Sequence, residues 1–290
     1  MDGLFNADAP GLGDPAAADL RSHVGVVVRD LDQVAAFYEK AFALGPFERG
    51  EVRAKGLRIL PASAPLGRCE MELIDVVGGR PPHQEFLERV GEGMNHFNLD
   101  YQTGDGYLSR MLQLHQMDVL PYWGFPHSGF CYVTSDHIGG VHFEVMRGSG
   151  HAGKKGFHHL GLVVKDTAAT TDYYTQVLGL LPFRTNTFPM KNATYKGALI
   201  DAAFKASFSE LGQLRIELMQ VVEGDTPMNR FLATRGEGMH HLRFAVADPA
   251  ARLAELKAKG VGVLWQNEEA GLTLLDTAHT GGMIFAISGR

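Results

Sequence analysis

The chain repeats itself. Residues 22–28 read SHVGVVV and residues 158–164 read HHLGLVV, an offset of 136. MELIDVV at 71–77 returns as IELMQVV at 216–222, and ERVGEGMNHFNLD at 88–100 returns as ATRGEGMHHLRFA at 233–245, both offset by 145. GGVHFEV at 139–145 returns as GGMIFAI at 281–287, offset by 142. Chance matches do not keep order and near-constant spacing, so the chain is a tandem duplication of a unit about 140 residues long.

Each copy divides again. His23 and His96 both open apolar stretches and stand 73 residues apart, while His159 and His241 stand 82 apart. After His23, VGVVV predicts a strand. RDLDQVAAFYEKAFAL then predicts an amphipathic helix with Val34, Phe37, Tyr38, Ala41 and Phe42 at helical spacing. The matching helix carries Tyr173, Tyr174, Val177 and Leu178. Short β-rich segments follow, punctuated at Gly45-Pro46, Gly56, Pro61, Gly67 and Gly78-Gly79. Each quarter reads as one strand, one helix and about three strands. The expected class is α+β with mixed sheets, not the strict alternation of a doubly wound fold.

The 290 residues, 45% of them hydrophobic, suffice for two domains with their own cores. A net charge of −6 gives no electrostatic case for nucleic acid or an anionic membrane surface. Two cysteines, Cys69 and Cys131, make no disulfide framework; both are expected to be free, buried thiols in a reducing compartment. No run approaches 18 apolar residues, and MDGLFNAD lacks the basic and apolar pattern of a secretion signal. The expectation is a cytoplasmic protein with a small-molecule partner, monomeric or homodimeric. The expected divisions are a disordered tail at 1–19, a domain at 20–147, a Gly-rich linker at 148–156 and a second domain at 157–290.

Four βαβββ units, each opening near a histidine, resemble the vicinal oxygen chelate superfamily. Its members include glyoxalase I, methylmalonyl-CoA epimerase, extradiol dioxygenases and the fosfomycin- and bleomycin-resistance proteins. The resemblance covers residues 21–288, and GEGMNHFNLD and GGVHFEV are most similar to the epimerase and glyoxalase branch. It implies that adjacent units curl in pairs into two cup-shaped domains, with a divalent metal held by first and last strands. The ligands it implies are His23, Glu72, His96 and Glu144. In the second copy it implies His159, Glu217 and His241, but Ala286 stands where Glu144 should recur, so that cup is expected to be degenerate and non-catalytic. Units paired within each half are the preferred arrangement; an internal exchange would instead join His96 and Glu144 to His159 and Glu217.

The chemistry of these residues points the same way. Two imidazoles and one or two carboxylates suit one ion of Fe, Mn, Co, Ni or Zn, and leave positions open for substrate. Strand alternation puts Glu144 on one face with His142 and Met146, away from Val141, Phe143 and Val145. A carboxylate inside an otherwise apolar strand is costly unless something pairs it. His142 reads as structural, with a supporting or proton-donating role as the alternative, and His158 and His240 are expected to point out of the cup.

The aromatic stretch PYWGFPHSGFCY at 121–132 falls where the family forms the mouth of the cup, which suggests an apolar or aromatic substrate. Three function classes compete. The first is an isomerase or lyase in which the metal grips two substrate oxygens and stabilises an enediolate. Glu72, Glu144 and Tyr132 are its catalytic candidates, and the spare carboxylate of Glu72 favours it. The epimerase's own acid is missing, since Leu57, Arg58 and Ile59 follow Gly56. The second is an Fe(II) ring-cleaving dioxygenase with His23, His96 and Glu144 as a facial triad, supported by Tyr132. That family's usual histidine acid/base is here Glu72. The third is a non-catalytic protein that sequesters a flat ligand.

Overall fold

A computed structural model describes residues 23–54, 56–66, 69–101, 104–135, 137–147, 159–178, 183–211 and 214–289. The expected tail at 1–19, the linker at 148–156 and His158 lie outside the described residues, as does the Cys69 side chain. Among the described residues no helix is long and apolar enough to cross a membrane.

The first half opens with β1 (His23–Val28), whose four valines are fully buried. Asp30 caps α1 (Leu31–Phe42), its Oδ1 accepting from Gln33 N at 2.9 Å. The helix lays Leu31, Val34, Ala35, Tyr38 and Ala41 into the core and ends where Ala43 turns left-handed at φ 56°. Next come β2 (Glu48–Arg49), β3 (Val52–Ala54), β4 (Leu57–Leu66) and β5 (Cys69–Gly78). A helix α2 (Pro82–Arg89) leads into β6 (Gly93–Tyr101), α3 (Gly104–Gln116), β7 (Trp123–Phe125), β8 (Phe130–Thr134) and β9 (His142–Arg147). The strands form one open sheet in the order β2-β4-β5-β1-β6-β9-β8-β7, with β3 also paired to β4.

The second half repeats the plan with β10 (His159–Val163), α4 (Thr167–Leu178), β11 (Arg184–Tyr195), β12 (Ala198–Leu211) and β13 (Leu214–Glu223). After α5 (Pro227–Arg235) come β14 (Gly238–Val246), α6 (Pro249–Ala258), β15 (Gly262–Asn267), β16 (Leu272–Asp276) and β17 (Ile284–Gly289). Here the sheet closes into a barrel in the order β10-β13-β12-β11-β15-β16-β17-β14. Closure comes from Thr194 and Tyr195 of β11 pairing with Gln266 and Trp265 of β15. The corresponding strands of the first half, β2, β3 and β7, are two or three residues long, so that sheet stays open.

Four βαβββ units are therefore present, with α2 and α5 added at the joints. The chain falls into two compact units: one within Asp19–Lys155 with Thr277–Met283, the other within Gly156–Asp276 with Ile284–Arg290. Strands from the two quarters of each half share one sheet, as in the unexchanged arrangement.

Candidate metal centre

Register assembles the first site. On β1, Gly25 lies opposite Glu72 of β5 on one side and His96 of β6 on the other. His23, two residues earlier, shares the face of Gly25 because strand side chains alternate. On β6, His96 and Asn98 share a face and stand opposite His142 and Glu144 of β9. Four strands thus aim His23, Glu72, His96 and Glu144 at one point.

The distances bear this out. His23 Nε2 lies 2.9 Å from Glu144 Oε2, 3.1 Å from His96 Nε2 and 3.6 Å from Glu72 Oε2. His96 Nε2 lies 3.8 Å from Glu144 Oε2 and 3.9 Å from Glu72 Oε2. His23, Glu72 and His96 each bring one donor atom within 4.8 Å of the others, a grouping that could hold an ion, and Glu144 Oε2 adjoins both imidazoles. Glu72 is the most open of the four, with 24% of its side chain exposed against 6% for Glu144 and none for His96.

Supporting contacts orient these donors. Asn95 Oδ1 sits 3.1 Å from His96 Nδ1, which places the ring proton there and turns the Nε2 lone pair toward the cluster. Asn98 Nδ2 donates to Glu144 Oε2 at 2.7 Å. Tyr132 is buried, its ring edge-on to His96 at 5.2 Å and its hydroxyl 3.2 Å from His83 Nε2 of α2. His142 reaches the Tyr122 hydroxyl through Nδ1. Trp123 and Phe130 continue the aromatic wall beside Tyr132. The Cys131 thiol is free and buried, 3.7 Å from Met111 Sδ.

Charge in this cluster is unevenly held. Burial alone would lower the His23 imidazole, but the carboxylates of Glu144, Glu72 and Glu70 outweigh it and raise it to about 9. Burial raises Glu72 to about 7, with His23 opposing and Glu144 and Glu70 adding to the rise. Burial also works against ionised Glu144, yet the imidazoles of His23 and His96 and the Asn98 amide bring it down to about 2. Burial holds His96 well below the usual imidazole range and brings His83 down to about 4.

The second barrel keeps part of this pattern. Gly161 of β10 lies opposite Glu217 of β13 and His241 of β14. Glu217 Oε2 is 2.7 Å from His159 Nε2 and 3.6 Å from His241 Nε2. All three are buried, and Ala286 of β17 faces Arg243 of β14. His240 is buried against Phe231 of α5, with its Nδ1 3.2 Å from His241 Nδ1.

Sequence reasoning named the four side chains that converge in the first half but missed Asn95, Asn98 and His83. Asn98 was open to discovery, since a polar residue two places beyond His96 on a strand shares its face. His83 sits on a helix between units, and no periodicity ties it to the site.

Residues 158–276 match the family described as the Glyoxalase/Bleomycin resistance protein/Dioxygenase superfamily. That stretch carries a domain of the superfamily. Its fold extends to the other half: over 94% of both chains it matches a mutant of 4-hydroxymandelate synthase from Streptomyces coelicolor, with TM-score 0.69 and 12% identity. BphC, a halotolerant catechol dioxygenase, matches with TM-score 0.53 and 10% identity over 94% of this chain and 87% of that one. A fusion of a xylose isomerase-like TIM barrel with 4-hydroxyphenylpyruvate dioxygenase matches with TM-score 0.58 and 16% identity, over 95% of this chain and 49% of that one. At these identities the likeness is one of fold. In sequence, 86 residues are 26% identical to the uncharacterised protein YqjC of Bacillus subtilis (strain 168), covering 30% of this chain and 54% of that protein. The match thus spans about half of that relative's length.

Proposed function

We propose that the first half is the metal centre of an isomerase or lyase acting on a small, apolar or aromatic substrate with neighbouring oxygens. The convergence of two imidazoles and two carboxylates within 3.9 Å of His96 and His23 Nε2 carries this reading. A divalent ion bound there supplies Lewis acidity to a substrate oxygen. His23, His96 and Glu144 hold the ion, Asn95 and Asn98 fixing two of these ligands. Glu72 serves as fourth ligand and, being the most open, as the base. Its carboxylate takes the proton from the substrate carbon and returns it to the neighbouring carbon. Tyr132, with Trp123 and Phe130, forms the wall against which the apolar part of the substrate packs.

The aromatic wall also favours a second reading, a ring-cleaving dioxygenase using His23, His96 and Glu144, and two solved structures of like fold bear dioxygenase names. Chemistry separates the two. Small α-hydroxy and α-keto carbonyl compounds incubated anaerobically in heavy water with the metal-loaded protein should gain carbon-bound deuterium. Glu72→Gln should keep the ion and lose the exchange. Oxygen uptake with catechols, without any exchange, would transfer the assignment to the dioxygenase. For the site itself, metal analysis should find about one ion per chain, and Glu144→Ala should lower metal affinity at least about tenfold. Unchanged metal content in that variant would refute the ligand set.

A further inference from the structure

Three buried positions separate the halves as a set. PHQEFLERVGEGMNH at 82–96 returns as PMNRFLATRGEGMHH at 227–241, which puts Met228 of α5 where α2 has His83. Across β8 and β9 Tyr132 stands opposite Glu144, and across β16 and β17 Leu274 stands opposite Ala286. His83, Tyr132 and Glu144 are each at most 5% exposed. Met228, Leu274 and Ala286 are as deeply buried and belong to one hydrophobic cluster. Where the carboxylate is replaced, the phenol and the imidazole are replaced with it. An apolar trio thus suits this place in the fold, and the polar trio of the first half carries the cost of burying polar groups.

The polar trio is hydrogen-bonded in a row. His83 Nε2 lies 3.2 Å from the Tyr132 hydroxyl, and that hydroxyl shares a hydrogen bond with Glu144. An ionised carboxylate can only accept, so the single hydroxyl proton of Tyr132 goes to Glu144. The hydroxyl oxygen is left to accept, and Nε2 must donate to it. The other ring nitrogen agrees with this direction. His83 Nδ1 is buried without a partner among the described residues, and a buried N–H is rarely left unmatched, so the proton sits on Nε2. We propose that His83 is a positioning residue of the first site, which acts through Tyr132 to hold the Glu144 carboxylate in place as a metal ligand. Strand order supports this, because β9 runs between β6 and β8. Asn98 donates to Glu144 from β6 and Tyr132 from β8, so the carboxylate is fixed from both sides. In the second barrel Ala286 offers nothing to hold, and apolar side chains fill the space. The proposal rests on Glu144 being a ligand.

The cobalt(II) affinity of the full chain, measured by competition with a chelating dye, tests this. His83→Met carries the side chain that the second barrel already holds at this place, so circular dichroism should be unchanged. Its affinity should fall at least about tenfold. Tyr132→Phe should fall alike, and the double variant no further than either single one. His83→Gln, whose amide can still donate to Tyr132, should keep most of the affinity. Unchanged affinity in His83→Met overturns the proposal, and so does a loss in His83→Gln as large as in His83→Met. Losses that add in the double variant overturn it too, since His83 would then act by another route. A further readout needs no metal. With imidazole nitrogens labelled and His83 assigned by comparison with His83→Met, its signals should show Nε2 protonated and Nδ1 bare; the reverse tautomer overturns the proposal. Glu144→Ala keeps the two readings apart. If it costs no affinity, the ligand set falls and this proposal with it; if it costs affinity while His83→Met does not, this proposal falls alone.

Discussion

At the scale of single residues, the glycine of each opening strand is as constraining as the histidines. A Cβ built on Gly25 would stand 2.0 Å from His96 Cε1, and one on Gly161 the same 2.0 Å from His241 Cε1. The imidazole fills the space beside the neighbouring backbone, and only glycine leaves it room. Gly25→Ala is expected to push the His96 ring out of the cluster, with metal affinity falling at least about tenfold and circular dichroism unchanged. Gly161→Ala should leave metal content alone. Equal affinity in wild type and Gly25→Ala, by competition with a chelating dye, would show that His96 holds no ion. Both glycines recur in the repeat, so their importance was legible, but not its cause: what fills the space above them becomes visible only once β1 lies beside β6.

At the scale of elements, one device is used three times. Asp30 Oδ1 accepts from Gln33 N at 2.9 Å, Asp248 Oδ1 from Ala251 N at 2.9 Å, and Asp166 Oδ1 from Ala168 N at 2.8 Å. Each aspartate follows a strand and begins a helix of the βαβββ unit, satisfying amides that the first turn leaves without partners. Asp248→Ala should therefore cost about 1 kcal/mol in urea denaturation with metal content unchanged. A loss below a few tenths of that would mean the first turn of α6 is held by packing instead. Strand and helix order was readable because period and caps agree in three of the quarters. Helix α5 also left a signal, Thr226 and Asn229 forming a reciprocal cap around Pro227. Helix α2 left little, for it buries only His83 and Leu87, too few positions to show a period.

At the scale of the whole molecule, duplication made two domains legible from one pattern, but not that one sheet opens and the other closes. Closure depends on β11 meeting β15 about 70 residues away, a pairing that neither strand's own pattern records. Charge also gives His159 and His23 opposite responses to pH in metal-free protein. Burial lowers His159 to about 3, with Arg243 adding to the fall and Glu217 opposing it. Between that value and the ordinary 6.5, the unfolded chain binds a proton that the folded barrel refuses. Stability from this group is therefore complete above pH 6.5 and drains away as pH falls toward 3. His23, raised to about 9 by its carboxylate neighbours against the effect of burial, behaves in reverse. Its contribution is complete below pH 6.5 and disappears as pH rises through 9. Each slope approaches about 1.4 kcal/mol per pH unit inside its window. Urea unfolding with chelator, followed through Trp265 in Trp123→Phe and through Trp123 in Trp265→Phe, should show the barrel weakening as pH falls below 6.5 and the open sheet weakening as pH rises from 6.5 through 9. Below 6.5 the lowered His83 and His96 weaken the open sheet in acid as well. His159→Gln should flatten the first trend and His23→Gln the second. An open sheet equally stable at pH 6.5 and at pH 9 would mean that Glu144 and Glu72 do not hold the proton on His23.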